Sequence, residues 1–303
     1  MKEQPGSVSP ILNNPYEEPQ WHYNATLEGN LDYSNIIEGR RPYSPNLTVT
    51  PNAVIMSSLF SNEDIQIDDP NGPFINGIRA EVKSWREQSY PKVTRTTRDL
   101  LNFWFLNPER ELNKSLFFCQ REAIETAIYL NEVAPRDPNI GRSILFELEE
   151  RRRTVSDRYE DILPRTAFKM ATGTGKTVVM AMLILYHYIN KKENPQDTRF
   201  ADHFLLVAPG ITIRDRLGVL YIDESNKSEH DKLDYYNQRG LIPQKYARLL
   251  GVVNSEHTHP EKRPPFRNIT TQNASIFIEK GVRIREIAQV FRSNATQPLS
   301  IAF

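Results

Sequence analysis

Met170-Ala171-Thr172-Gly173-Thr174-Gly175-Lys176-Thr177, running into the apolar stretch VVMAMLILY from Val178 to Tyr186, is the reading that decides the fold. The general phosphate loop is GxxxxGK[ST]. Gly175-Lys176-Thr177 fits its second half, while Met170 stands where the first glycine is usual. The physical requirements are nevertheless met. Gly173 and Gly175 let the backbone curl so that N–H groups around Thr172 and Thr174 face phosphate oxygens. Lys176 can reach the outer phosphates of a nucleoside triphosphate, and the Thr177 hydroxyl can ligate Mg²⁺. A helix beginning at Lys176 adds the positive end of its dipole. The bland reading is a glycine-rich turn that binds nothing. The expected context, a short strand at Arg165–Ala171 before the loop and an apolar helix over Lys176–Asn190 after it, argues against that.

Outward from the loop, the alternation continues. Lys191–Ala201 is polar and reads as a loop, and His203–Ala208 (HFLLVA) reads as a buried strand. Pro209-Gly210 then precedes a helix from about Thr212 to Leu220. Strand, helix, strand, helix at this spacing predicts an α/β fold with a parallel sheet. Upstream, Ile78, Val82 and Trp85 recur at helical spacing, Leu100, Leu101, Trp104 and Phe105 mark a second helix, and Leu116–Val133 a third. Residues 139–164 are strongly charged and read as an exposed helical insertion. Residues 1–75 are rich in Pro, Asn, Ser and Asp and read as an irregular arm, with short extended pieces at Leu47–Thr50 and Ala53–Met56. The expected organisation is therefore an arm (1–75), a helical region with its charged insertion (76–164) and an ATP-binding lobe (165–303). Beyond Gly251 only Ile276–Phe291 looks helical.

The motif I spelling ATGTGKT, without the first glycine, resembles that of superfamily 2 helicases and translocases. The chain is most similar to one branch, the helicase-type subunit of type III restriction enzymes. Phe117-Phe118-Cys119-Gln120-Arg121-Glu122-Ala123, Ala167–Tyr188 and Phe204–Leu220 carry the likeness, with Asn14-Pro15-Tyr16-Glu17-Glu18-Pro19 and Glu38-Gly39-Arg40-Arg41-Pro42 in the arm. The resemblance implies a RecA-like ATP-binding lobe, incomplete in this chain, and the cofactors ATP and Mg²⁺. It makes Gln120 the glutamine that reads adenine, a task a side-chain amide suits because it both donates and accepts. A polar residue on an amphipathic helix is the plain alternative. The resemblance also makes Pro209-Gly210-Ile211-Thr212-Ile213-Arg214 the motif Ia segment, where Thr212 and Arg214 would grip a DNA phosphate. Otherwise Thr212 is an ordinary N-cap.

Other patterns are weaker. Val219-Leu220-Tyr221-Ile222-Asp223-Glu224 has the outline of an Asp-Glu Mg²⁺ motif but follows the preceding helix with no room for a strand, so a polar helix end is the expectation. Asp69 and Glu81-Val82-Lys83 mimic a nuclease D…ExK spacing, yet Val82 belongs to a helical face, which makes the match a surface coincidence. His257-Thr258-His259 reads as a solvated turn. The chain carries 38 basic and 38 acidic residues, so it has no global basic field and any nucleic-acid contact must be local. One cysteine, Cys119, rules out an internal disulfide and four-cysteine zinc sites. No segment approaches the roughly 20 apolar residues of a membrane span, and MKEQPGSVSP lacks the apolar stretch of a secretory signal. A cytoplasmic protein without a membrane partner is the expectation.

The resemblance points to the restriction subunit of a restriction-modification system, a hydrolase that couples ATP-driven DNA translocation to endonuclease action beside a modification methyltransferase. The residues beyond Lys176 are expected to finish one lobe, too few for a second of roughly 100–200 residues. The chain thus reads as an N-terminal portion that binds nucleotide without efficient turnover, Lys176 being its catalytic-site lysine. The rival readings are a stand-alone regulatory ATP- and DNA-binding module and an unrelated P-loop NTPase or kinase.

Overall fold

A computed structural model gives the fold, and it describes residues 11–25, 31–43, 71–155, 166–202, 204–208, 211–220, 234–250, 269–273 and 299–301. The chain divides into two units, Met1–Ser89 and Tyr90–Phe303.

In the first unit, strands β1 (Trp21–Ala25) and β2 (Leu31–Glu38) pair antiparallel, with an irregularity between Tyr23 and Asn24. The arm expected to be irregular therefore contains a hairpin. Its residues explain why: Trp21, Tyr23, Tyr33, Ile36 and Ile37 are aromatic or β-branched types that suit a pleated surface. Tyr23 is buried and meets Tyr33 edge to face at 5.0 Å. Asn13 fixes the entry, its Oδ1 accepting from the backbone N–H groups of Gln20 and Trp21. Helix α1 (Asn71–Glu87) follows, with Ile78, Val82 and Trp85 buried as their spacing predicts. Glu18 of the arm pairs with Lys83 and Arg86 of this helix at 3.4 and 3.3 Å. Glu81 and Lys83 lie on the helix, off any strand, and Asp69 lies outside the described residues.

The second unit is mainly helical. Helix α2 (Arg95–Leu101) starts where Thr94 Oγ1 accepts from the Thr97 N–H, and it widens into a π turn at Asn102–Leu106. Helix α3 (Phe118–Ile128) widens in the same way at Tyr129–Val133, and Pro135 follows. Helix α4 (Ile140–Val155) lies within the expected charged insertion and carries the Arg151–Glu147 pair, with Ile144 buried. Helix α5 (Lys176–Glu193) is the centre of the unit. Every residue from Val178 to Lys191 is buried, the mark of a helix enclosed on all sides. Helices α2 and α3 and the 3₁₀ turn at Gln244–Leu250 pack on it.

Strand β3 (Phe204–Ala208) pairs in parallel with β4 (Ile269–Asn273) on one side and β5 (Leu299–Ile301) on the other. Helix α6 (Ile211–Leu217) leaves β3 and packs back on β3 and β4, and a 3₁₀ turn at Gly218–Leu220 extends it. Helix α7 (Asp234–Gln238) comes next. Its Tyr236 is fully buried and donates to the Leu220 carbonyl at 2.6 Å.

One expectation fails where it mattered most. Residues 166–171, within the predicted strand Arg165–Ala171, form no strand, so a parallel sheet running directly into the phosphate loop is not what the described residues show. Ala167, Lys169 and Ala171 are exposed. The Ala171 carbonyl, which a sheet neighbour would otherwise engage, accepts instead from Thr174 Oγ1 and Lys176 Nζ at 2.7 and 2.8 Å. The extended pieces at Leu47–Thr50 and Ala53–Met56, the helix at Ile276–Phe291, Asp223, Glu224, His257 and His259 all lie outside the described residues.

Candidate phosphate-binding site

The loop before α5 has the conformation its glycines were expected to permit. Gly173 and Gly175 adopt φ of +82° and +76°, the left-handed region that side chains with a Cβ enter at a cost. Gly175 is the N-cap of α5. The N–H groups of Val178 and Val179 donate to the Gly175 carbonyl at 2.9 and 3.3 Å. Those of Lys176 and Thr177, one step earlier, have no carbonyl behind them within the helix. At Gly173 an added Cβ would meet nothing within 4 Å, so the loop is open there.

Lys176 bends back over the loop, its ammonium donating to the Ala171 carbonyl at 2.8 Å. That oxygen holds the position of an acceptor a phosphate oxygen could supply. Thr172 and Gly173 are exposed on the loop, while Thr174, Lys176 and Thr177 are partly so. A triphosphate suits this donor set: a cation within the loop, helix N–H groups and a hydroxyl at Thr177 for its Mg²⁺. Among the described residues no group of three or more His, Cys, Asp and Glu side chains is placed to hold a metal ion.

The opposite wall of the loop is the first turn of α3. Gln120 is only 4% exposed. Its Nε2 donates to the Thr174 carbonyl at 2.9 Å, and its Oε1 accepts from the Phe117 N–H at 3.0 Å. The partners fix which end of the amide is which, because a carbonyl only accepts and an N–H only donates. The amide also fills the space beside Gly175, where an added Cβ would lie 2.2 Å from Nε2. Gln120, singled out by the family resemblance, thus meets the loop across 54 residues. Cys119, its neighbour, is half-buried, and burial pushes its thiol up, partly offset by the backbone N–H groups of Gln120 and Cys119.

A polar cluster at the far end of α5 was not foreseen. The Asn190 amide donates to Thr97 Oγ1 at 2.9 Å and accepts from Thr94 Oγ1 at 2.6 Å. Glu132, fully buried on the π turn after α3, accepts from the Thr94 N–H, Thr97 Oγ1 and Tyr186 Oη at 2.8, 2.6 and 3.0 Å. Each of these buried polar groups is matched, as low-dielectric surroundings demand. Beside them, Arg121 joins Glu125 and Tyr90, whose hydroxyl donates to Glu125 at 2.5 Å.

Of the remaining expected residues, Thr212 is exposed on α6, which starts at Ile211 and so places Thr212 inside the helix, not at its N-cap. Arg214 lies on the same helix. A family described as type III restriction enzyme, res subunit, matches residues 108–275, more than half of the chain and a span holding Gln120, the phosphate loop and α6. No curated protein and no solved structure matches the chain.

Proposed function

The chain belongs to the type III restriction enzyme res-subunit family, and from that premise we propose that it is the ATP-binding part of a DNA translocase serving a restriction-modification system. At family level the matched region is a helicase-like ATP-binding module. The loop geometry supports the finer reading: two left-handed glycines, a lysine folded over them and the N-terminus of a buried helix together form a polyphosphate cradle.

In that reading Thr172, Gly173, Thr174 and Gly175 wrap the phosphates with backbone N–H groups. Lys176 exchanges the Ala171 carbonyl for a phosphate oxygen, which neutralises charge there. Thr177 would offer its hydroxyl to the nucleotide's Mg²⁺, which when bound would supply neutralisation of the phosphate charge. Thr212 and Arg214 on α6 hold the DNA backbone, a contact that carries no sequence information by itself. The sheet around β3 belongs to a RecA-like lobe, the protein acts in the cytoplasm, and a methyltransferase subunit is its partner. Among the described residues no helix is long and apolar enough to cross a membrane.

Calorimetric titration of the chain with Mg·ATP tests the central point. Lys176→Ala should weaken binding roughly 100-fold, as loss of a charge-assisted contact of about 3 kcal/mol requires. Equal affinity of the variant and the parent would remove the phosphate loop from the mechanism.

A further inference from the structure

Helix α6 turns one face outward. Thr212, Ile213, Arg216 and Val219 are exposed along α6 and its 3₁₀ extension, while Leu217 and Leu220 are buried and the helix packs back on β3 and β4. At 3.6 residues per turn, Thr212 and Arg216 stand roughly 40° apart around the axis. Residues at that spacing have Cβ atoms about 5–6 Å apart, near enough for both side chains to meet one ligand group. Position 214 lies roughly 200° from Thr212, on the side of buried Leu217. The cation that shares the face of Thr212 is therefore Arg216. Asp215 is its chain neighbour, and residues one apart on a helix do not face each other. Among the described residues the Arg216 guanidinium has no ion-pair or hydrogen-bond partner.

We infer that Arg216 is a phosphate-binding residue of the DNA grip, acting beside Thr212 on the flank of α6. The inference rests on the DNA-binding reading above and adds a residue to it. A guanidinium presents its N–H donors in a planar fork that matches phosphate oxygens, and a threonine hydroxyl donates one more. Ile213 at 46% and Val219 at 42% exposure flank them, apolar surface suited to the carbons of the sugar. None of the four exposed residues is acidic, so a polyanion meets no like charge among them. With 38 basic against 38 acidic residues the chain has no general field to draw a polyanion, so local cations decide where it lies. A contact of this kind places the backbone and carries no sequence information.

Fluorescence anisotropy of the full chain on two short DNA duplexes of unrelated sequence, from about 50 to about 200 mM salt, tests the assignment. Arg216→Gln should weaken both duplexes equally, by roughly tenfold at the lower salt for one lost charge-assisted contact. The slope of log affinity against log salt should become shallower by about 0.9, the counterion release of one phosphate. Arg216→Lys keeps the charge and should keep the parent slope. Unfolding in urea should be the same for the parent chain and Arg216→Gln, because the side chain is exposed. Unchanged affinity and slope overturn the proposal while the DNA reading stands, and leave the cation for an acidic protein surface. A loss confined to one sequence overturns it in favour of a base contact. A lowered urea midpoint overturns it in favour of a structural role. If the parent chain binds neither duplex, the DNA reading itself falls, and this role of Arg216 with it.

Discussion

Gly175 and Gly173 share a backbone conformation and differ in what surrounds them, which makes Gly175→Ala an informative perturbation. Both substitutions force alanine into the left-handed region, at φ of +76° and +82°, a strain of about 1–2 kcal/mol each. Both also restrict the unfolded chain to the same degree, an offset of about 0.4–1 kcal/mol. Only at Gly175 does the new methyl group land 2.2 Å from Gln120 Nε2, whereas at Gly173 it meets nothing within 4 Å. The amide must swing away and release the Thr174 carbonyl, a further cost of about 1 kcal/mol. Gly175→Ala should therefore lower the free energy of urea unfolding by about 1 kcal/mol more than Gly173→Ala. With Gln120 already changed to alanine the extra cost should vanish, leaving a coupling energy of about 1 kcal/mol. Equal costs for the two glycines, or an excess that survives removal of the glutamine, would refute the contact.

Other outcomes follow from the interior. Glu132→Ala strips the acceptor from the Thr94 N–H and from the Thr97 and Tyr186 hydroxyls, and should cost about 3 kcal/mol or more in urea unfolding; a loss near zero would mean those donors find other partners. Burial holds the His187 imidazole neutral and pushes its pKa down from 6.5 to about 3. The unfolded chain then binds more protons between those values, so stability falls as pH drops from 6.5 toward 3, by up to about 1.4 kcal/mol per unit. His187→Phe should flatten that slope, and an unchanged slope would assign it to other groups. Cys119, with its thiol pushed up by burial, should alkylate with iodoacetamide at pH 7 more slowly than glutathione does and accelerate with rising pH. A rate matching glutathione would contradict its placement.

Local periodicity made much of the helical architecture legible. The buried trio Ile78, Val82 and Trp85 and the apolar run after Lys176 each announce a helix that forms, because i to i+4 contacts are settled within one segment. Strands were harder, since pairing is decided elsewhere in the chain. The company a phosphate loop usually keeps predicts a strand before it, yet residues 166–171 pair with nothing in a sheet. Proline, asparagine and serine dominate the composition around the pair Trp21–Ala25 and Leu31–Glu38 and mask its strand signal. At the site, the glycines and Lys176 could be read from spacing, because their geometry is local. The hydrogen bonds of Gln120 could not, since they depend on which partner lies nearest across 54 residues. Nor could the union of Thr97, Glu132 and Asn190, three common polar residues on separate helical segments.

That union fixes α5 at the end remote from the phosphate loop. From Lys176 to Asn190 the helix runs about 21 Å at 1.5 Å per residue, enclosed from Val178 onward and bolted at its tail. A piston stroke along its axis would break the Asn190 and Tyr186 contacts together, so the helix serves as an anvil. At the phosphate end the turn at Gly173–Gly175 meets α3 through the Gln120–Thr174 hydrogen bond. Spectroscopic labels on the tail of α5 would accordingly stay silent during nucleotide exchange, while a label near Phe117 would register it.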